Sequence, residues 1–89
     1  MKYIIMYDIC DSQRRNEVAW ILEEYGKRIQ YSVFFCDLTK KEFEHVRTAL
    51  VAVIDMEEDS LRCYPVCSDC WEKIYTLGYV PEEKNYQIL

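Results

Sequence analysis

Hydrophobic residues recur along this chain with a period that changes from segment to segment, and the changes mark its elements. Tyr3 to Ile9 is apolar on both parities up to Asp8, the pattern of a strand covered on both faces and therefore central in its sheet. A polar turn with Asp11 or Ser12 as N-cap follows. Val18, Ile21, Leu22 and Tyr25 then fall at i, i+3, i+4 and i+7, which predicts a helix over about residues 13–25. Gly26 stands where a left-handed C′ residue is expected. Residues 27–38 alternate Ile29, Tyr31, Val33 and Phe35 with Gln30, Ser32, Phe34 and Cys36, and they read as extended chain. That stretch is one long strand or two short ones broken near Tyr31-Ser32.

The second helix announces itself through its start. Thr39 and Glu42 have capping-box spacing, and Leu38 is placed to staple against Phe43. Phe43, Val46, Leu50, Val53 and Ile54 form one apolar stripe that ends near Met56. Asp59 to Val66 reads as a further strand, and Pro65 places it at a sheet edge or at its own end. A Cys-x-x-Cys, an aromatic segment from Trp71 to Val80 and a charged tail with Pro81 follow.

The order β-α-β-β-α-β is the ferredoxin-like plan, an α+β fold whose antiparallel sheet carries both helices on one face. Because the central strand is apolar on both parities, the other face needs a cover. A second copy of the same face is the simplest one, so the expectation is a sheet-to-sheet homodimer. The domain is expected over residues 1–78. Residues 79–89 form a C-terminal extension, a candidate strand or strap across the dimer.

Composition sharpens this expectation. Eighty-nine residues make one domain. A chain of that size buries only about 60–65% of its unfolded surface. Eight Tyr, three Phe and two Trp are a large apolar load for so small a sphere, which again favours association. The net charge of −5 argues against coating nucleic acid through the whole field, so any phosphate contact has to come from a local cluster. The cations do gather in groups, Arg14-Arg15, Lys27-Arg28 and Lys40-Lys41, while acids collect at Asp55 to Asp59 and at Glu82-Glu83. Five cysteines are an odd number, which excludes a fully paired intrachain disulfide framework. No stretch approaches the roughly 20 apolar residues of a membrane span. Met1-Lys2 lead into only five apolar residues before Asp8, unlike a secretory signal. The expected compartment is the cytoplasm.

Candidate chemistry concentrates in the first fifteen residues. A strand delivers Asp8 to its end, a turn follows, and Arg14 and Arg15 open a helix; that order can hold a metal and a phosphate within one short reach. It is also the order of an ordinary strand-to-helix connection, with Asp8 bonding backbone amides of the turn. Arginines at a helix start oppose the macrodipole, and a phosphate bound there reverses the sign of that cost. Arg28 and Lys40 are weaker phosphate candidates. Cys67 and Cys70 supply two of the four ligands zinc takes, and Cys63, in a strand, reads as packing. The single histidine, His45, lies off the helix stripe and cannot complete a Ser-His-Asp set.

Taken as an ordered set, several of these pieces are characteristic: the opening Tyr-Asp-Ile with its acid, Asp-Ser-Gln-Arg-Arg-Asn, and Tyr-Gly-Lys-Arg-Ile-Gln-Tyr-Ser-Val-Phe. Asp-Ser-Leu-Arg-Cys-Tyr-Pro-Val-Cys-Ser-Asp-Cys, Lys73 and Gly78 complete it. Over almost its full length the chain resembles the small CRISPR-associated adaptation subunit, the Cas-two family. The resemblance implies a ferredoxin-like homodimer that joins the CRISPR integrase subunit to capture and insert spacer DNA. It also implies magnesium-dependent endoribonuclease or DNase activity, with the metal-binding, catalytic acid carried over onto Asp8. One motif departs from the family. Where Ser-Val-Phe-Glu is common, this chain has Ser32-Val33-Phe34-Phe35, which puts any role of that glutamate in doubt. One chain offers a single firm carboxylate, Asp8, with Asp11 nearby. If a dimer axis passes near the end of the first strand, Asp8 from both subunits can share one Mg²⁺. The alternative is a non-catalytic dimeric scaffold that bridges integrase subunits and cradles spacer DNA on its arginines.

Overall fold

The computed structural model of the chain describes residues 1–78; the expected extension at 79–89 lies outside the described residues. Four strands and two long helices alternate as the hydrophobic pattern requires: β1 (Lys2–Asp8), α1 (Ser12–Glu23), β2 (Gly26–Gln30), β3 (Val33–Asp37), α2 (Lys40–Val53) and β4 (Ser60–Val66). A short helix, α3 (Ser68–Glu72), follows. The sheet order is β2-β3-β1-β4, antiparallel throughout, which is the ferredoxin-like arrangement with β1 and β3 inside and β2 and β4 at the edges.

Residues 27–38 resolve into two strands. Arg28 opposes Phe34 and Gln30 opposes Val33, with an irregularity at the second pair, so the break falls at Tyr31-Ser32. Pro65 lies in β4, an edge strand, where a missing N–H leaves no ladder bond unmade on the open side.

Register assigns the two faces of the sheet. Ile5 pairs with Phe34 and Cys63, and Tyr3 pairs with Cys36 and Pro65. Ile5, Tyr7, Phe34 and Cys36 are buried together with Val18, Ala19 and Leu22 of α1 and Val46 and Leu50 of α2. Tyr3 stacks on Phe43 of α2, with ring centroids 4.8 Å apart. The odd positions of β1 therefore face the helices. The even positions, Lys2, Ile4, Met6 and Asp8, share the opposite face with Val33, Phe35 and Asp37 of β3 and with Ser60, Arg62, Tyr64 and Val66 of β4. No helix of the α1–α2 layer covers that second face.

The helix starts follow their sequence signals. Asp11 is the N-cap of α1, its carboxylate accepting from the Arg14 N–H at 2.9 Å. Thr39 and Glu42 form the reciprocal capping box of α2, at 2.9 and 3.0 Å. Leu38, before that cap, is buried. The end of α1 departs from expectation. The helix stops at Glu23, and Glu24 and Tyr25 close it with tight N–H bonds to the carbonyls of Ile21 and Leu22. Gly26 already belongs to β2, and among the described glycines only Gly78 has a positive φ. What Gly26 supplies is space rather than a left-handed turn. A Cβ there would run into the Phe35 carbonyl oxygen and come within 3.0 Å of the Cys36 Cα. The need for glycine comes from β3, 10 residues further on.

Candidate nucleic-acid and metal site

The end of β1 is where the sequence placed its chemistry, and the topology brings more there than the sequence showed. Asp8 is the last residue of the central strand, is exposed, and pairs with Ser60 at the start of β4. Its parity puts it on the uncovered face, in line with Met6 and Ile4. On the other side of β1, the Tyr7 N–H donates to the Ser32 carbonyl at 3.1 Å, which fixes the Tyr31-Ser32 turn beside the same end. Tyr31 itself is 92% exposed.

Three of the four candidate cations meet at this end. Arg15 donates to the carbonyls of Ile9 and Cys10, at 3.0 and 3.2 Å, so its guanidinium is anchored on the turn that leaves Asp8. Arg28 donates to the Tyr31 carbonyl and, at 3.2 Å, to Glu23; its guanidinium lies 5.2 Å over the Phe34 ring. Arg14 follows directly before Arg15. Lys40 is not part of the group. It opens α2, next to the β3 end at Asp37, and Asp37 pairs with Lys2 at the far end of β1.

Arg14 has an anion already, and it is the chain's own. Its Nε and Nη2 donate to the two oxygens of Asp59 at 2.8 and 3.2 Å, and Nη2 reaches Glu58 at 3.4 Å. The Asp59 side chain has no exposed surface. It also accepts from the Asp55 N–H at 2.8 Å. The Arg14 guanidinium, followed by the Asp55 amide, holds the Asp59 carboxyl below its ordinary range. The charge at the helix start that asked for a phosphate is thus met by Asp11 and Asp59. The sequence showed Asp55 to Asp59 only as a place where acids collect, and did not pair Asp59 with Arg14. The signal was present in the spacing: Asp55 and Asp59 close a turn on themselves, the Asp59 N–H donating to the Asp55 carbonyl at 2.8 Å.

The Tyr7 phenol lies behind the acid, on the helix side. Its oxygen is buried without a hydrogen-bond partner among the described residues, and burial raises its pKa, with the Arg28 charge opposing in part.

Fit to a metal follows from the donor set. Among the described residues no group of three or more His, Cys, Asp or Glu side chains converges. Magnesium tolerates that poverty better than other ions, because it keeps several waters and takes one or two carboxylates. A lone exposed Asp8 fits as half of such a site and does not fit as a whole one. Among the described residues Cys67 and Cys70 gather no third ligand for zinc, since Cys63 points into the helix side of the sheet and packs against the core.

The remaining aromatic feature lies on the uncovered face. Trp71 of α3 sets its ring edge against Phe35, with centroids 4.7 Å apart, and Lys2 Nζ lies 5.6 Å from its centroid. The start of the aromatic segment is therefore helical and reaches the sheet face, while Ile4, Met6, Val33, Tyr64 and Val66 remain partly or largely exposed beside it.

Comparison with known proteins agrees with this geometry. A family model described as "CRISPR associated protein Cas2" matches residues 1–74. A protein of Chloroflexus aurantiacus named "CRISPR-associated endoribonuclease Cas2 3" is 48% identical, covering 97% of this chain and 95% of the relative. One of Synechocystis with the same name is 43% identical, covering 92% of this chain and 89% of the relative. The crystal structure of Streptococcus pyogenes Cas2 at pH 6.5 superposes with a TM-score of 0.79 at 32% identity, covering 88% of this chain and all of that one. No helix among the described residues is long and apolar enough to cross a membrane.

Proposed function

The chain belongs to the CRISPR-associated protein Cas2 family, and from that premise we propose that it is a metal-dependent endonuclease of a CRISPR system acting in spacer acquisition beside the integrase subunit. The observation that carries the proposal is the place of Asp8: an exposed carboxylate at the end of the central strand, on the sheet face that neither α1 nor α2 covers. Two copies packed through that face bring two such strand ends into one interface. A pair of Asp8 carboxylates then repel unless a cation lies between them, so dimerisation and metal binding support each other. A divalent ion held there would stabilise charge on the scissile phosphate and lower the pKa of a bound water. The chain's own residues do the rest. Ser60 fixes the level of Asp8 through the β1–β4 pairing. Arg15 and Arg28, anchored at the same end, present positive charge to the phosphates of an RNA or DNA strand. Arg14 contributes by holding α1 and the turn before β4 together. Lys40 belongs to the opposite end and would contact only a longer nucleic acid.

A second reading rests on the scarcity of acids: one carboxylate per chain is little for a nuclease, and a dimeric scaffold that binds spacer DNA on Arg15 and Arg28 needs none. Asp8→Ala separates the two, assayed for RNA and DNA cleavage with Mg²⁺ and for spacer acquisition with the integrase partner. The nuclease proposal expects cleavage to be lost with thermal stability unchanged within about 0.5 kcal/mol, as for an exposed surface side chain. Cleavage that survives the substitution refutes it. Acquisition that survives while cleavage is lost assigns the acquisition role to the scaffold.

A further inference from the structure

Cys67-Ser68-Asp69-Cys70 has no part in the reading above. Cys67 is the N-cap of α3, with extended backbone angles of φ −70° and ψ 166°, and its sulfur accepts from the Cys70 N–H at 3.5 Å. Serine, threonine, aspartate and asparagine are the side chains that cap helices well, and sulfur is a weak acceptor. Capping alone is therefore a poor reason for cysteine at this position. The extended cap folds the Cys67 side chain back over the first turn, toward the residue three places on, and that residue is the second cysteine. Both are exposed and neither is in a disulfide.

The two thiols are also made unequal. The N–H of Cys70, and then its side chain, lower the Cys67 pKa, while Cys67 raises that of Cys70. The other cysteines on the sheet contrast with them. Burial pushes the Cys36 thiol up to about 11 and raises that of Cys63, which leaves both unreactive.

We propose that Cys67 and Cys70 form a reversible dithiol–disulfide site that exchanges with low-molecular-weight disulfides, with Cys67 the attacking and Cys70 the resolving residue. The Cys67 thiolate attacks one sulfur of a small disulfide such as glutathione disulfide. That S–S bond breaks, one small thiolate leaves, and Cys67 holds a mixed disulfide. Cys70 then loses its proton to water and attacks the Cys67 sulfur, expelling the second small thiolate. The two leaving thiolates take up protons. In sum two protein thiols are oxidised by two electrons, and one disulfide is reduced to two thiols. Side chains three apart at a helix start have Cβ atoms about 5–6 Å apart, and a disulfide wants about 3.5–4.5 Å, so closure needs a small adjustment of the first turn. Trp71 is the next residue and rests on Phe35, so that adjustment is transmitted to an indole whose emission can be followed.

The test uses the full chain in glutathione buffers of increasing disulfide fraction, followed by acid quench, alkylation and peptide mapping. Cys67 and Cys70 are expected to convert together into one peptide two hydrogens lighter, while Cys36 and Cys63 remain alkylatable. Cys70→Ser is expected to stop at a glutathione adduct on Cys67, and Cys67→Ser to react severalfold more slowly than Cys70→Ser. In the Cys70→Ser chain, alkylation of Cys67 at neutral pH is expected to be severalfold faster folded than in urea. That comparison separates a site built by the fold from the ring closure any Cys-x-x-Cys peptide allows. A wild-type Cys67 adduct that persists without closure overturns the proposal, and so do equal Cys67 rates in the folded and unfolded chain.

Discussion

Phe34 and Phe35 are neighbours in β3 with opposite duties, and truncating each in turn tests both faces of the sheet. Phe34 is fully buried, stacked at 6.3 Å on Tyr7, with the Arg28 guanidinium 5.2 Å over its ring. Cutting it to alanine removes a core ring and leaves a cavity between elements that cannot collapse, a loss of about 3–5 kcal/mol. A domain of this length has roughly 4–13 kcal/mol of stability in total. At about 4–8 °C per kcal/mol, Phe34→Ala should lower the melting temperature by at least about 12 °C. Phe35 is half-buried, its ring edge against Trp71 on the uncovered face. Phe35→Ala should cost the monomer only about 1–2 kcal/mol, because much of that ring is not removed from water by folding alone. In the proposed sheet-to-sheet dimer its larger effect should fall on association. The assay is thermal unfolding over a hundredfold range of protein concentration, together with sedimentation velocity. Phe34→Ala should melt early at every concentration and leave the proposed dimer intact when folded. Phe35→Ala should sediment increasingly as monomer on dilution, with a melting temperature that depends less steeply on concentration than that of the wild type, because less of the folded protein is associated. Equal melting losses for the two variants, with sedimentation of Phe35→Ala unchanged, would refute both the assignment of faces and the covered open face.

Two further perturbations probe the supports of the site. The Asp59 carboxyl is held below its ordinary value of 3.8 by Arg14; the folded chain thus binds fewer protons than the unfolded one, and this contribution is present above that value and is lost as pH falls through the lowered one. The wild type should therefore lose melting temperature more steeply than Asp59→Asn between about pH 5 and pH 2, and parallel curves would contradict the clasp. Thr39→Ala breaks the capping box of α2 and should cost about 1 kcal/mol, read as a lowered urea midpoint with unchanged slope.

The fold was legible because its signals were redundant. β1 is apolar on both parities and is the central strand; α2 has a capping box and a regular stripe, and both are where the pattern put them. The residues that failed to show themselves are those whose meaning depends on a partner far along the chain. Gly26 looked like a helix stop because its local sequence permits that, while the constraint comes from Phe35 and Cys36 across the strand pair. Arg14 looked like a free cation because its side-chain partner is remote in sequence: Asp59, 45 residues away, accepts from its Nε and Nη2. Asp8 stood out in the sequence as the acid at a strand end, and its position on the uncovered face followed only from the register that pairs it with Ser60.

The pairing of β1 also sets an order of events during synthesis. The strand that carries Asp8 precedes both of its neighbours, and its β4 partner starts only at Ser60. A nascent chain shorter than that can form α1 and the β2–β3 hairpin, whose contacts are local, but it cannot flank β1 on both sides. Until then Ile4 and Met6 have no completed sheet to lie on, and Asp8 has no opposite strand to fix its height. The Arg14–Asp59 clasp closes at the same stage, since Asp59 is made directly before β4, long after Arg14. An unfinished chain is thus kept from presenting the acid in its final position, and translation itself delays the assembly of the candidate site until the sheet is whole.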